Sequence, residues 1–509
     1  MELMPKLQSL LKGGVGLITR ATASSLVILL CEKWKEAVKM YCKSLLSTLL
    51  LATLYEKSEA IKSSYSSAAA AVAKVSTHTT LKAAILMLVE TFRDSNEDLD
   101  CAQRAASAKL LKDISLNASE KMKPTEKMDW QMSNWGIVLP LAFVSKFDAN
   151  VEIKNCFVGV WEEGLSQLQQ NCFKISIKSQ SDACRLMISP ISDIILQSLK
   201  GISRGGRIRA SEAVKELADL SALASNNVGI VLINEIIGAI RGKSWEQKDK
   251  LLEALVAVTI CCKERLVLEH QIALSAEGVE GDFESGREDE LPLMKVLAVV
   301  YKQMNREDKH LRRFSAEAFT KIVSHFQEFP VFEQFSPQLL AFGGFGQLNA
   351  QNSNKSLGFD GNDTILQARI VEALSALWGT TLPWQKEEYS PLIVGDFARI
   401  FSSKMWNVRF ELLRLLRSVL KTIWRVEDVL IGDMIGAVVS FQGLRDSKYT
   451  KVRKAALDVI HLIVTKSELK GQVKPFEEVL MENCRNVEDD EDPNVAALAR
   501  KIIYIISSV

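Results

Sequence analysis

Residues 403–420 read SKMWNVRFELLRLLRSVL, and residues 447–464 read SKYTKVRKAALDVIHLIV. With Trp406 as zero, a cation stands at +3 (Arg409), leucines at +6, +7 and +10 (Leu412, Leu413, Leu416) and a valine at +13 (Val419). Residues 243–258, KSWEQKDKLLEALVAV, repeat that frame from Trp245, with Lys248, Leu251, Leu252, Leu255 and Val258. Tyr449 opens a third copy through Ala455, Ala456 and Val459, followed by Ile460. Steps of three, four and seven bring apolar side chains onto one face of an α-helix, so each stretch predicts a helix with one buried stripe. Fainter copies run through HLRRFSAEAFTKIV (310–323) and PNVAALARKIIYII (493–506).

The copies recur at a fixed distance. Trp406 to Tyr449 is 43 residues, and so is Val452 to Val495. A period of roughly 40–47 residues with two helices per unit is that of HEAT and armadillo arrays. One helical hairpin cannot cover its own apolar stripe, so neighbouring units must stack and share a core. The expected fold is therefore all-α, a HEAT/ARM-like α-solenoid built as a superhelix of antiparallel helix pairs. On this reading residues 1–509 form a single solenoid of about ten to eleven repeats. Composition agrees: 47% of the 509 residues are hydrophobic, enough for a large core, while 26 Gly and 11 Pro supply few turn formers. Three interruptions are expected. Residues 117–134 (NASEKMKPTEKMDWQMSN) read as a polar link. Residues 275–290 (SAEGVEGDFESGREDE) read as an acidic loop insertion and residues 342–363 (FGGFGQLNAQNSNKSLGFDGND) as a Gly/Asn-rich one. The text after Met1 enters repeat-like sequence with no polar capping unit, which predicts either a longer protein upstream or a partner surface for the first helices.

The chain carries little material for chemistry. Lys and Arg (63) nearly cancel Asp and Glu (62), which removes any global basic field for nucleic acid or anionic lipid. The five His (78, 270, 310, 325, 461) form neither HExxH nor HxH, and no Cys stands at ligand spacing from one, so no metal site is expected. GxxxxGK[ST] and GxSxG are absent, and the Gly13–Gly16 and Gly343–Gly346 clusters lack a phosphate-gripping Lys. No catalytic residue and no cofactor is expected, and a binding residue is not marked by any motif. The nine cysteines sit mostly in apolar helical text such as 255–266, LVAVTICCKERL, and read as reduced, buried thiols of a cytosolic or nuclear protein. No apolar run approaches the roughly 20 residues of a membrane span, so no transmembrane segment is expected. The basic stretches 204–209 (RGGRIR) and 448–454 (KYTKVRK) read as solvated helix faces, and the recurring Trp245 and Trp406 as packing at a helix start. What remains is a large helical surface suited to wide, shallow recognition of another macromolecule.

Several stretches, in order, resemble one family. They are LKGGVGLITRATASSLVILL (11–30), SSYSSAAAAVAKV (63–75), WGIVLPLAFVSKFD (135–148), VWEEGL (160–165), IRASEAVKELADL (208–220), IIGAIRGKSWEQKDKLLEALVAV (236–258), MWNVRFELLRLLRSV (405–419) and SKYTKVRKAALDVIHLIV (447–464). Together they are similar to the giant HEAT-repeat proteasome adaptor and scaffold proteins, the "extracellular mutant" family. Members of that family are several times longer, so the resemblance implies the C-terminal portion of such a protein. It implies a non-enzymatic adaptor that binds the proteasome, bridging or steadying its regulatory and core particles and serving quality control of faulty assemblies. It also implies a cytoplasmic and nuclear location, with links to the endoplasmic reticulum, endosomes or motor proteins. A different HEAT-repeat interaction scaffold, such as a transport receptor or a tubulin- or vesicle-associated adaptor, is the alternative.

Overall fold

A computed structural model of the chain describes residues 3–13, 16–94, 101–117, 124–171, 177–224, 227–241, 247–276, 291–346, 363–402, 405–423 and 428–508. Among these residues the regular elements are all helical and no strand occurs. The chain divides between residues 278 and 279 into two compact units.

The first unit holds α1 (Leu3–Gly13), α2 (Leu17–Lys33), α3 (Lys35–Lys39), α4 (Cys42–Tyr55) and α5 (Glu59–Val75). It continues with α6 (His78–Asp94), α7 (Cys101–Asn117), α8 (Pro124–Ser145), α9 (Val151–Asn171) and α10 (Gln180–Leu186). Its last helices are α11 (Ile188–Lys200), α12 (Arg204–Asp219), α13 (Val228–Arg241), α14 (Asp249–Cys261) and α15 (Lys263–Ala276). The second unit opens with α16 (Pro292–Gln303), α17 (Lys309–His325), α18 (Phe332–Gly343), α19 (Thr364–Trp378) and α20 (Pro383–Ser402). It closes with α21 (Trp406–Thr422), α22 (Asp428–Val439), α23 (Thr450–Thr465), α24 (Ser467–Val473), α25 (Glu477–Arg485) and α26 (Pro493–Ser507).

Within each unit the helices pair as hairpins. The pairs are α1–α2, α4–α5, α6–α7, α8–α9, α11–α12 and α13–α14 in the first, and α16–α17, α18–α19, α20–α21, α22–α23 and α25–α26 in the second. Second members of successive hairpins then pack side by side: α2 on α5, α5 on α7 and α7 on α9 in the first unit. In the second unit α17, α19, α21, α23 and α26 form one continuous layer. Each unit is thus a HEAT/ARM-like solenoid stack, as the period predicts. Leu412, Leu413, Leu416 and Val419 are fully buried, and so are Leu251, Leu252, Leu255 and Val258. Full burial of one such side chain contributes about 1.5–3 kcal/mol, which is what holds neighbouring hairpins together.

Local sequence sets the helix starts. Asp308, Asp363 and Asp492 cap α17, α19 and α26 by accepting backbone N–H bonds of the first turn. Ser179 and Asp182 form a reciprocal capping box at α10. Pro292 and Pro493 stand in first turns, where a missing N–H costs nothing.

Two expected interruptions are corrected. Residues 124–134, read as part of a polar link, are the first half of α8. Pro124 suits a helix start, and nothing in KMDWQMSNW breaks the turn that follows. The ends of the 342–363 insertion are also ordered structure. Gly344 closes α18 in a left-handed conformation (φ 93°), and the Phe345 ring behind it is buried. The Gly346 N–H donates to Asp396 (2.6 Å), and Asp363 is already a helix cap. Residues 118–123, 277–290 and 347–362, and with them the rest of the three insertion readings, lie outside the described residues.

Candidate interaction surface

The first feature that sets this surface is buried. Four Asp residues just upstream of layer helices each accept from an Arg in the first or second turn of the helix before. Arg104 of α7 reaches Asp148, ahead of α9, at 2.6 Å. Arg313 of α17 grips Asp363 at 2.9–3.2 Å through Nε and Nη2. Arg409 of α21 meets Asp446, ahead of α23, at 3.0 Å, and Arg453 of α23 meets Asp490, ahead of α26, at 2.7 and 2.9 Å. Asp148 takes a second guanidinium, Arg209 of α12, also at 2.6 Å. Each carboxylate uses its other lone pairs on backbone N–H groups of its own turn, as Asp446 does with Lys448 and Tyr449 (2.9 Å each). One side chain therefore fixes both the turn and the register to the previous repeat. Burial alone would push the Asp363 and Asp490 carboxyls up, but the Arg313 and Arg453 guanidiniums and backbone N–H groups hold both below the usual carboxylate range.

The sequence frame marked the cation at +3 but assigned it no partner. The signal was present: Arg409 and Asp446 are 37 residues apart, and so are Arg453 and Asp490. These rungs also revise the reading of the two basic stretches. Arg209 in RGGRIR and Arg453 in KYTKVRK are ion-paired rungs, whereas Lys448, Lys451 and Lys454 do lie on the surface. Trp406 stacks on Tyr449, centroids 4.8 Å apart and planes 16° from parallel, so the repeat position packs repeat on repeat. Trp245 lies outside the described residues. Lys466 ends α21 by donating its ammonium to the carbonyls of Leu420 (2.8 Å), Lys421 (3.2 Å) and Ile423.

Nothing among the described residues gathers into a catalytic centre. No group of three or more His, Cys, Asp or Glu is placed to hold a metal. Burial pushes the thiols of Cys31, Cys184 and Cys484 up to about 12, which makes them inert. Cys261 differs: a hydrogen bond from Cys262 draws it down to about 7 against the effect of burial. A cleft lined by Val464, Lys470, Val473, Glu477, Ile505 and Ile506 has a volume of about 10 Å³, room for one water. No helix among the described residues is long and apolar enough to cross a membrane.

The open surface is the outer face of the α17–α26 layer. Charges alternate across its first three helices: Lys321 to Glu317 (2.9 Å), Glu317 to Arg369 (3.5 Å), Arg369 to Glu372 (2.7 Å) and Arg414 to Glu411 (2.9 Å). Glu411 sits lowest in this row. Burial, helped by the Glu372 charge, pushes its carboxyl up to about 7 against the pull of Arg414. Such a face offers polar, partly exposed groups across several repeats.

Comparison with known proteins gives this surface a setting. Residues 1–93 match the family model described as the HEAT-repeat domain of the proteasome adapter and scaffold protein ECM29. Human proteasome adapter and scaffold protein ECM29 is 20% identical over 542 aligned positions, which take in 99% of this chain. The chain resembles the ECM29 family. It spans 26% of the length of that human relative. Among solved structures, importin beta in a polyethylene glycol condition superposes with a TM-score of 0.51 at 13% identity. That match covers 99% of this chain and 59% of importin beta, and at such identity it shows the fold alone. The match to human ECM29 is one of sequence, and it runs through both units.

Proposed function

We propose that this chain is a non-enzymatic adaptor that binds the 26S proteasome, links or steadies its regulatory and core particles, and contributes to proteasome quality control. The observation that carries the reading is the similarity to ECM29 along 99% of the chain. The physical features support it. The rungs and apolar stripes are spent on stacking, which leaves long rows of exposed polar side chains for gripping a large assembly. An adaptor of this kind works in the cytoplasm and nucleus; contacts with endoplasmic reticulum, endosomes or motor-linked proteins belong to the same reading. The test is co-purification. The tagged chain, expressed in cells, should recover subunits of both the regulatory and the core particle, and recovery should survive a moderate salt wash. Tagged chain that is folded, yet brings down neither particle above an untagged control, would overturn the proposal.

A further inference from the structure

The layer face changes character towards its C-terminal end. On α17 and α19, Lys321 and Arg369 each have a carboxylate neighbour, as described above. On α21, α23 and α26 several exposed cations lack such a neighbour, although Arg414 meets Glu411 and Arg500 meets Asp489. On α21 the face runs Phe410, Arg414, Arg417, Lys421; on α23 it runs Lys451, Lys454, Asp458, His461; on α26 it runs Ala497, Lys501, Tyr504. These are steps of three and four, so each set lies along one side of its helix, and the buried residues of the same helices fall between them. Arg414 is engaged by Glu411. Arg417, Lys421, Lys451, Lys454 and Lys501 have no carboxylate within ion-pair distance among the described residues, and the Arg417 Nε–H has no acceptor. Arg417 and Lys501 both lie close enough to His461 to act on its charge. His461 lies between Arg417 on one side and Lys501 on the other; burial first, then those two positive charges, lower its proton affinity, opposed by Asp458.

We infer that the outer face of α21, α23 and α26 is a docking surface for an extended acidic segment of a partner protein, held by Arg417, Lys421, Lys451, Lys454 and Lys501. The spacing favours a polypeptide. Packed helices stand about 8–10 Å apart. An extended chain advances about 3.3 Å per residue, so a carboxylate at every third position meets each helix in turn. A nucleic acid fits less well, because its unbroken row of phosphates would meet the Asp458 carboxylate in the middle of the patch and the exposed Asp489 near its edge. Phe410 and Tyr504, the latter 74% exposed, flank the cations and give apolar residues of the segment somewhere to rest.

This inference names the partner chemistry of the adaptor proposed above and rests on that reading. The probe is a fluorescein-labelled peptide with Glu at every third position and Ser or Gly between, titrated with the purified chain at low salt and followed by anisotropy. Saturable binding is expected that weakens as salt rises. Charge reversal in R417E/K454E/K501E should weaken it by about tenfold or more, while K200E/K302E/K309E, placed off the patch, leaves it within about twofold. R417Q/K454Q/K501Q repeats the test if the reversed variant does not keep the wild-type far-ultraviolet circular dichroism and melting temperature. Equal binding of a peptide with Gln in place of Glu, an equal loss from the off-patch reversal, or tighter binding of a single-stranded oligonucleotide of the same charge would each overturn the inference. Proteasome recovery is read separately. A wild-type chain that recovers proteasome subunits but does not bind the peptide sinks this inference alone, and peptide binding without recovery sinks the adaptor reading alone.

Discussion

Asp148→Ala should be among the most damaging single changes in the first unit. The carboxylate is nearly sealed from solvent, with 4% of its side chain exposed, and it faces Arg104 at 4% and Arg209 at 10%. Both guanidiniums donate to the same Oδ2 at 2.6 Å, and Oδ1 accepts the Asn150 N–H at 3.0 Å. Alanine removes the anion and leaves two desolvated cations facing each other across the gap. Breaking a buried ion pair from one side typically costs about 3–5 kcal/mol. The stacking of Arg104 on Phe92, 4.8 Å from the ring centroid, offsets part of the loss at that partner. Because the chain has two units, a single unfolding midpoint would mix them, so the assay should read locally. Hydrogen exchange resolved by peptide does so: exchange in α7, α9 and α12 should speed up by about 10²–10³-fold or somewhat more, at 1.4 kcal/mol per decade. The second unit should be unchanged. Replacing the whole triad by apolar residues (D148L/R104M/R209M) should recover most of the loss, since well-packed hydrophobes often equal or exceed a buried triad. The reasoning fails if Asp148→Ala shifts exchange in those helices by less than about fivefold, under about 1 kcal/mol.

Leu413→Asp places a charge at a fully buried position between α21 and its neighbours, and should unfold the surrounding hairpins at a cost of several kcal/mol, seen as loss of the second unit's melting transition. Lys466→Met removes the cation that caps the end of α21 and should cost about 1 kcal/mol, read as faster amide exchange confined to the last turn of α21 and the start of α24. Glu411 titrates at about 7 in the folded chain, above its ordinary value, so the native state holds the proton more tightly than the unfolded one. Stability of the second unit should therefore fall as pH rises from about 4.5 through 7, and Glu411→Gln should flatten that slope in pH-dependent melting; an identical slope in the variant would refute the assignment. Asp363 and Asp490 act in the opposite direction: their folded carboxyls lie below the usual range, so their contribution is present at neutral pH and disappears on acidification below about 4.

Helix identity and layer architecture were legible in the sequence because burial in a stacked hairpin leaves a period that survives variation. Leu412, Leu413, Leu416 and Val419 are found where the 3, 4, 7 rule puts them, and their counterparts from Leu251 to Val258 are equally buried. The rungs were half legible. Arg409 stood out as the cation at +3, but its partner Asp446 is 37 residues away, and no local rule links a helix residue to a turn at that distance. Residues 124–134 of the expected link were misread for a simpler reason. Polar residues and one proline lower the expectation of helix, yet Pro124 at a helix start costs nothing, and the apolar run from Trp135 onward carries the helix. The paired and unpaired ends of the layer face could not be read at all, since Arg369 and Glu317, or Arg417 and His461, become neighbours only when repeats stack.

The low identity to a relative that matches nearly the whole chain follows from the same construction. A stack held by nearest-neighbour contacts asks each buried position only for an apolar side chain of roughly the right size, and such exchanges usually cost less than about 1.5 kcal/mol. The rungs are less forgiving, because a Lys in place of Arg453 would lose the planar fork whose Nε and Nη2 meet both oxygens of Asp490. What packing does not need is the outer face, where Arg417, Lys454 and Lys501 have no ion-pair partner among the described residues. Charged groups left without partners gain nothing for the fold and repel one another. Their grouping on three successive layer helices is what an acidic segment lying across them would account for.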